Sequence, residues 1–374
     1  MRKASGNNEK NPPLVAALTA FTRPASSTEI TLYGVVDGYV AVNIAGSQLK
    51  SGIQSGGAKP SLWGIKGSED LGNGWSSHFK LEAGFLLDNG EATPGGAGGG
   101  LAWHRESWLG VSNENFGSLS FGRQYTPYFL TMIMIDPTNM SLGGAIENFC
   151  WPGAASVLGG DLNKNIDLAR RDNSFLYKTP SFKGLSAELF VSLGEQVKDS
   201  GKQSNSLGNS YSIALEYASH NVMLRGVYLY DKLSLKIQGE DHYQTVLFGG
   251  SYDLGVTKPS LIFLKKFAKG SPETPNLWAA QLGASTPLAG GKLFTTAAYL
   301  RNQTNKDENA WSFGLRYDYP LSKRTTIYAG YTAVINQKKS SYVVVPGAGS
   351  SLPFFADKAG LNAQQIFSGI NISF

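Results

Sequence analysis

Apolar and polar residues alternate along much of the chain, beginning at Ile30. In the first such segment Ile30, Leu32, Val36, Val40, Val42 and Ile44 alternate with Thr31, Tyr33, Asp37, Tyr39 and Asn43. A repeat of two residues is typical of a β-strand with one apolar and one polar face. The segment Trp75–Leu87 repeats the pattern, with His78, Lys80 and Glu82 on its polar face. Such a polar face meets bulk water in a soluble sandwich and a wet lumen in a barrel.

The connections between these segments favour the barrel, because they alternate between tight and long. Tight connections include Asp70–Gly74 and Asn113–Gly117, whereas long ones include Thr126–Arg170 and Asn336–Leu361. Tight turns at one end of the strands and long loops at the other are typical of outer-membrane barrels. The candidate strands number about sixteen, a size that leaves an aqueous channel. The sequence therefore predicts an all-β, antiparallel transmembrane barrel that occupies residues 28–374 as a single unit.

Aromatic residues cluster near the ends of the predicted strands. They are Trp63, Trp75, Tyr177, Phe182, Tyr217, Tyr252, Tyr317, Tyr319, Tyr328 and Tyr331. Amphipathic rings prefer the boundary between lipid and water, so their collective placement favours two aromatic girdles on the outside of the barrel.

Composition excludes several classes of protein. The charged fraction is 16%, below the roughly 25% of soluble domains, and no apolar run of about 18 residues predicts a transmembrane helix. The one cysteine, Cys150, excludes an internal disulfide and a thiolate metal cluster within one chain. The net charge is +5, but Lys and Arg are scattered singly, so we expect no nucleic-acid partner.

Residues 1–27 show parts of a secretory leader in an unusual arrangement. Arg2 and Lys3 match a positive n-region and Leu14–Phe21 a short apolar region, but the polar segment Ser5–Pro13 separates them. Two interpretations stay open: a degraded or misassigned leader, and a disordered tail. Both place these residues outside the fold.

We expect no enzymatic activity, no cofactor and no metal. The four histidines, His78, His104, His220 and His242, lie far apart in sequence without metal-ligand spacing. No serine stands in a nucleophile-elbow motif.

A set of ordered segments carries a family resemblance. They are Thr31–Asp37, Gly64–Gly74, Arg105 with Trp108–Ser112, Phe116–Pro127, Arg171–Ser174 with Tyr177, Pro180–Phe182, Tyr319 with Leu321–Thr325, and Phe374. In this order they resemble the trimeric general porins of Gram-negative outer membranes, closest to the neisserial and β-proteobacterial type. The resemblance implies a sixteen-stranded homotrimer in outer-membrane lipid that passes small hydrophilic solutes and ions. It also implies a third external loop, within residues 128–170, that folds into the lumen and forms the constriction.

Two departures from the family pattern concern the size and selectivity of the pore. Leu62 stands where an arginine is often found, and the predicted infolded loop carries the apolar run Phe129–Ile135.

The constriction of such a pore needs carboxylates on the loop facing basic side chains on the wall. The loop candidates are Asp136 and Glu147, and the wall candidates are Lys66, Lys80, Arg105, Arg123 and Arg171. Alternation points Lys80 inward, and Arg105 matches a characteristic fourth-strand arginine of the family. Each residue alone has an alternative role as a solvated rim charge or a member of an ion pair. Since bases outnumber acids, we expect a preference for anions.

The last predicted strand has Ile366, Ile370, Ile372 and Phe374 on one face. This pattern resembles the recognition signal for the outer-membrane assembly machinery, and Phe374 is the predicted assembly signal. Two other functions stay open: a structural or adhesive barrel with an occluded lumen, and a substrate-specific channel.

Overall fold

The computed structural model describes residues 29–93, 102–150, 169–194, 208–232, 242–269, 276–347 and 358–374. The strands are β1 (Glu29–Ala45), β2 (Gln48–Ser55), β3 (Leu62–Gly72), β4 (Trp75–Gly84), β5 (Glu106–Asn113), β6 (Gly117–Tyr125), β7 (Arg170–Lys178), β8 (Leu185–Ser192), β9 (Ser210–Ala218), β10 (Val222–Lys232), β11 (His242–Tyr252), β12 (Lys258–Lys269), β13 (Leu277–Leu288), β14 (Gly291–Asn302), β15 (Ala310–Pro320), β16 (Thr325–Asn336) and β17 (Ala363–Ser373). Helix α1 spans Pro127–Ile135, and a 3₁₀ helix spans Ile146–Phe149. Within the described ranges no helix is long and apolar enough to cross a membrane. The leader predicted for residues 1–27 lies outside the described residues.

All these strands form one antiparallel sheet that closes on itself, because β1 pairs with β17 from Val35 opposite Ser373 to Ala45 opposite Ala363. The other edge of β1 is shared: β2 pairs with its second half and β3 with its first. β2 and β3 thus lie end to end as one strand interrupted by residues 56–61, and the barrel has sixteen strands and one extra. Closure leaves no unpaired edge in lipid. The predicted fold class is confirmed.

The two faces of the wall follow the predicted alternation, because directly paired residues point to the same side of a sheet. Ile30 and Leu32 of β1 point outward and are exposed, whereas Asp37 points inward and is buried.

Tyr328 is an exception to the predicted aromatic girdle. Its ring points inward, and its hydroxyl donates to Asp37 Oδ1 at 2.5 Å, because Asp37 offers a buried acceptor that the lipid does not.

The connections confirm the predicted asymmetry of the two ends. Turns of two to six residues join strands at one end, and the connection 71–74 is tight enough that Gly72, Asn73 and Gly74 all have positive φ. Glycine and asparagine tolerate this conformation. At the other end lie the long connections, with one exception that the sequence did not indicate: β1 and β2 are joined by the two residues Gly46 and Ser47.

Three segments of chain lie inside the barrel. The first is 56–61, between β2 and β3. The second is the connection between β6 and β7, of which 126–150 is described. The third is 341–347, called the inner strap below, which follows β16. In the second segment α1 contacts β9 to β12 and the 3₁₀ helix contacts β13 and β14, so the third external connection is folded inward as expected.

Closure of the barrel beside Phe374 depends on Gly34, which has no side chain. A Cβ at Gly34 would lie 2.3 Å from Phe374 Cζ and 2.8 Å from the Leu62 carbonyl oxygen. We expect Gly34→Val to destabilise the barrel by about 1–3 kcal/mol through overpacking, measured as a lower unfolding temperature in heat-shift gels. Gly52→Val is the matched control, because a Cβ at Gly52 meets nothing within 4 Å. Equal unfolding temperatures for both variants would contradict this account of the closure.

Candidate functional site

The infolded loop begins with α1, whose sequence contains both a start signal and an apolar surface. Thr126 caps the helix, since its Oγ1 accepts the Phe129 N–H at 3.1 Å, and Pro127 stands in the first turn. Met132 and Ile135 are fully buried. The apolar run Phe129–Ile135, which departs from the family pattern, is thus a packing surface against the wall.

The wall beneath α1 departs from the rule that a lumen is polar. Leu247, Ile262 and Leu264 point inward and have no exposed surface, in one core cluster with Met132 and Ile135. Burying such side chains fully is worth about 1.5–3 kcal/mol each. Apolar residues stand at these inward positions because the loop covers them.

Arg225 of β10 holds α1 to the wall. Its Nε donates to Thr131 Oγ1 at 2.6 Å, its Nη1 pairs with Glu216 at 2.5 Å, and its Nη2 pairs with Glu188. The side chain is only 3% exposed. A buried guanidinium is costly unless its donors are satisfied, and here the loop supplies one of the three acceptors.

Arg316 of β15 holds the next part of the loop in the same way. Its Nη1 donates to Ser141 Oγ and to the Leu142 carbonyl oxygen, each at 2.6 Å, and its Nε pairs with Asp318 at 2.8 Å. The neighbouring Gly314 allows this approach, because a Cβ there would lie 2.0 Å from the Gly143 carbonyl oxygen. The loop backbone therefore rests directly on β15.

The loop carboxylates predicted for the constriction, Asp136 and Glu147, are buried, being 1% and 3% exposed. Gln281 of β13 joins the two stretches of loop: its Nε2 donates to Asp136 Oδ1 at 2.6 Å, and its Oε1 accepts the Ile146 N–H at 2.7 Å. Burial raises the pKa of Asp136 against the effect of its hydrogen bonds. Burial and the neighbouring Asp136 raise the pKa of Glu147 well above its ordinary value. The structure places both acids at the attachment of the loop, and their role at the constriction stays a prediction.

The predicted basic residues lie on the opposite wall, and several of them form ion pairs with acidic residues that were not predicted. Lys80 pairs with Glu82 at 3.2 Å and with Glu106, and Arg105 Nε pairs with Glu82 Oε1 at 2.8 Å. Glu82 also accepts the Tyr33 hydroxyl at 2.9 Å. Sequence reasoning missed both glutamates, although Glu82 stands on the same predicted polar face as Lys80. Cross-strand pairing, which places Glu106 opposite Glu82, had no signal in the sequence.

A second group of arginines surrounds Tyr125 at the start of the loop. Arg105 Nη2 and Arg170 Nη2 both donate to the Tyr125 hydroxyl, at 2.8 and 2.7 Å. The Arg170 guanidinium also lies 4.5 Å from the centre of the Tyr125 ring. Arg170 was not among the predicted residues. Tyr125 thereby brings two positive charges together, an arrangement that favours an anion nearby.

The other candidates lie around this group in different environments. Arg123 Nη1 pairs with Asp172 at 2.7 Å, and Arg171 Nη2 pairs with Asp231 of β10 at 3.0 Å. Lys66 points inward on β3, is exposed, and lies 5.6 Å from the centre of the Tyr33 ring. The candidates and Arg170 are thus six basic side chains on and beside β3 to β7, and the acidic partners named for them are Glu82, Glu106, Asp172 and Asp231.

The inner strap packs on the infolded loop. Tyr342 to Val345 are all at most 7% exposed. The Val345 N–H donates to Asn148 Oδ1 at 2.8 Å, and the Tyr342 ring meets Phe149 edge-on at 5.4 Å. The sequence predicted only a long external loop here, because a contact across 197 residues leaves no local pattern.

Asp37 organises the remaining inner segment. Its carboxylate accepts the N–H groups of Gly57, Ala58 and Lys59 at 2.8, 3.1 and 2.9 Å. The Gly57 carbonyl oxygen in turn accepts the Leu142 N–H at 3.1 Å. The segment 56–61 therefore supports the loop from the β1 side, so the three inner segments contact one another.

Comparisons with known proteins agree with this architecture. A family profile described as Gram-negative porin matches residues 14–339. An outer membrane porin protein of Bordetella pertussis is 28% identical over 370 residues, covering 84% of this chain and 92% of its own. Outer membrane porin protein 32 of Delftia acidovorans is 29% identical over 332 residues, covering 87% and 89%.

Among solved structures, the anion-selective porin from Comamonas acidovorans superposes with a TM-score of 0.79 at 25% identity, over 93% of this chain and all of that one. OmpT of Vibrio cholerae superposes with a TM-score of 0.65 at 14% identity, over 93% of this chain and 98% of that one. The second likeness concerns the fold alone.

The native Cys150 reports on how firmly Arg316 holds the loop. Cys150 is buried at the end of the 3₁₀ helix and is the one cysteine of the chain. Arg316→Met removes the donors to Ser141 and Leu142, and hydrogen bonds to a charged group are worth about 1.5–3 kcal/mol. We expect maleimide to label Cys150 roughly 10- to 100-fold faster in this variant, since labelling follows local opening. Arg324→Met, at an exposed turn, is the control, and an unchanged rate in Arg316→Met would contradict the role of Arg316.

Proposed function

Because the chain belongs to the Gram-negative porin family and forms a channel in the outer membrane, we propose that it passes small hydrophilic solutes and ions, with a preference for anions. One observation carries the proposal: the basic side chains named on and beside β3–β7 include the exposed Lys66 and the partly exposed Lys80 and Arg170, whereas the loop carboxylates Asp136 and Glu147 are buried on the other side. The similar Comamonas porin is anion-selective by its description, which supports the same direction here.

The physical reason is the position of the charges. An exposed charge on the outside of the barrel is screened within about 8 Å at physiological salt, whereas a charge beside a narrow passage acts on every ion that crosses it. Lys66 is the exposed base on this wall, and Arg105 and Arg170 lie together behind it at Tyr125. Glu82 and Glu106 neutralise part of this charge, so we propose a moderate preference, not an exclusive one.

The size limit comes from the loop and the inner strap together. The strap covers Asn148 and Phe149 of the loop, so both segments occupy the β9–β16 side of the lumen. We propose that the passage is restricted to small solutes because two inner segments, and not the loop alone, reduce its cross-section.

We further propose the assembly that the family resemblance implies. Residues 28–374 would form a single barrel, three copies would associate as a homotrimer in outer-membrane lipid, and Phe374 would present the signal to the assembly machinery. The barrel surface supports lipid contact, since its outward strand positions are apolar over most of their length. We assign the chain no catalytic role and no cofactor. In the parts that the structure describes, no group of three or more His, Cys, Asp or Glu side chains is placed to hold a metal ion.

The packing of the inner strap favours one alternative, a structural barrel whose lumen is closed. Single-channel recording in a planar bilayer separates the possibilities. Open ohmic steps support the channel, silence supports the closed structural barrel, and block by a solute at low concentration supports a substrate-specific channel.

Anion preference is tested by two substitutions of opposite sign at one ion pair. Two unit charges about 7 Å apart in water interact by about 0.6 kcal/mol. Because the anion and the cation respond with opposite signs, their free energies separate by about 1.2 kcal/mol, and we expect each change to alter the anion-to-cation permeability ratio roughly sevenfold. Arg105→Met lowers the ratio because Glu82 loses a counter-charge, and Glu82→Gln raises it. The measurement is the zero-current potential across a salt gradient. Cation preference of the wild type, or shifts of the same sign in both variants, would contradict the proposal.

Narrowing by the inner strap is tested by removing its contacts with the loop. Tyr342→Ala with Val344→Ala deletes buried side chains at a cost of about 3 kcal/mol or more, so we expect the strap to leave the loop and the single-channel conductance to increase. Leu321→Ala, at an exposed turn at the opposite end, is the control. A conductance equal to that of the wild type would show that the strap does not limit the passage.

A further inference from the structure

Arg170 differs from the other arginines of its wall because no carboxylate neutralises its charge. Arg105, Arg123 and Arg171 each pair with a carboxylate. Among the described residues Arg170 has no acidic partner, and its Nε has no hydrogen-bond partner. A buried donor without an acceptor is costly. Arg170, which is half-buried, therefore offers an uncompensated charge to an anion that enters the lumen.

The Tyr125 hydroxyl beside Arg170 has an unused donor. It accepts one hydrogen bond from Arg105 Nη2 at 2.8 Å and another from Arg170 Nη2 at 2.7 Å. A hydroxyl has two acceptor positions and one O–H donor, so both acceptor positions are taken. No described residue accepts the remaining O–H. Two guanidinium groups and an unused O–H together favour a carboxylate oxygen at this point.

Helix α1 presents an apolar surface to the lumen close to Tyr125. One face of the helix is buried through Met132 and Ile135. On the other face Leu130 and Ile133 are half-buried and Met134 is 39% exposed. Residues three and four positions apart share one side of a helix, so Leu130, Ile133 and Met134 form one surface, called the α1 patch below. Such a patch departs from the polar interior that is usual in a water-filled barrel.

Two stacked rings connect the α1 patch with Arg170. The Tyr125 ring stacks on the Phe129 ring with 5.6 Å between centres, and the Arg170 guanidinium lies 4.5 Å from the centre of the Tyr125 ring. Phe129 and Ile133 are one helical turn apart, about 5–6 Å between their Cβ atoms. A cationic point and an apolar patch therefore adjoin one another inside the lumen.

We propose that Arg170, Tyr125 and the α1 patch form a binding site for organic monocarboxylates that have an apolar body. The carboxylate accepts the Tyr125 O–H and donors of the Arg170 guanidinium, and the apolar body covers the α1 patch. From Leu130 to Met134 the patch is about 6 Å long, which fits a phenyl ring or a short alkyl chain. A second charge on the solute would lie against this patch and lose hydration, so dicarboxylates and inorganic anions fit less well. The inference rests on the proposed function, because it names the class of anion that the channel favours.

The test measures binding to the purified full-length barrel in detergent by equilibrium dialysis at neutral pH, with protein-free micelles as the reference. The probes are 3-phenylpropionate, its neutral amide 3-phenylpropanamide, and acetate, which lacks the apolar body. The wild type should bind 3-phenylpropionate at least about tenfold more tightly than either of the other probes.

Two variants separate the two halves of the site. Arg170→Gln removes the charged donors, so it should weaken binding of 3-phenylpropionate roughly 10- to 100-fold and abolish the preference for the acid over the amide. Leu130→Gln with Met134→Gln should weaken binding of 3-phenylpropionate about 5- to 20-fold and leave binding of acetate unchanged. The control is Lys292→Gln, which removes an exposed base at the start of β14 and should bind all three probes as the wild type does.

Several results would overturn the site. These are equal affinity of the wild type for the acid and the amide, equal affinity for the acid and acetate, wild-type binding by Arg170→Gln, and an equal loss in the control. Heat-shift gels verify that each variant is folded. If Arg170→Gln is not folded, Arg170→Lys tests the site, because it keeps the charge but loses the two parallel donors and should weaken binding about fivefold. Met134→Gln alone replaces the double variant in the same way.

Binding in detergent is measured without current, so this site and the proposed function fail separately. A silent or cation-selective barrel that binds 3-phenylpropionate would contradict the proposed function alone. An anion-selective channel that binds the acid no better than acetate would contradict the site alone.

Discussion

The arrangement of the pore depends on two buried arginines that hold the infolded loop to one side of the lumen. Arg225 binds Thr131 in α1, and Arg316 binds Ser141 and Leu142 further along the loop. Each is also paired with acids of the wall, so neither charge is left unsatisfied when the loop is in place. If the loop left, the guanidinium groups would lose acceptors and apolar residues such as Leu247 would be exposed to water. These costs act together and fix one position of the loop.

The position of the loop determines which charged side chains a solute can approach. Both acids of the loop, Asp136 and Glu147, are buried, and Asp136 accepts a hydrogen bond from Gln281 of the wall. On the opposite wall Lys66 is exposed and Lys80 is partly exposed, whereas Arg105, Glu82 and Glu106 are buried in ion pairs. The expected arrangement, in which loop acids face a basic wall across the passage, stays a prediction. Among the described residues Arg105 and Glu82 form an ion pair on the β3–β7 side, which is why we propose that selectivity responds to changes at either member.

The fold was largely predictable because a barrel repeats one local rule. The alternation around Ile30 and around Lys80 is visible over a few residues, and closure follows from the need to pair every strand edge in lipid. The site was predictable only in part. The alternation placed Lys80 on the inward face, but Glu106, Arg170 and the inner strap act through cross-strand or distant contacts. Tyr328 was misplaced for the same reason, since its acceptor Asp37 is 291 residues away.

We propose that water and solutes pass along the β3–β7 wall and not along the wall that the loop covers. The most direct measurement places a cysteine on each wall, Lys66→Cys and Leu247→Cys, in a Cys150→Ser background, and adds a charged methanethiosulfonate reagent during single-channel recording. Both positions point inward, but Lys66 is exposed whereas Leu247 has no exposed surface. The account predicts rapid modification and a change in current for Lys66→Cys, and no change for Leu247→Cys. Equally rapid modification of both, or of Leu247→Cys alone, would contradict it.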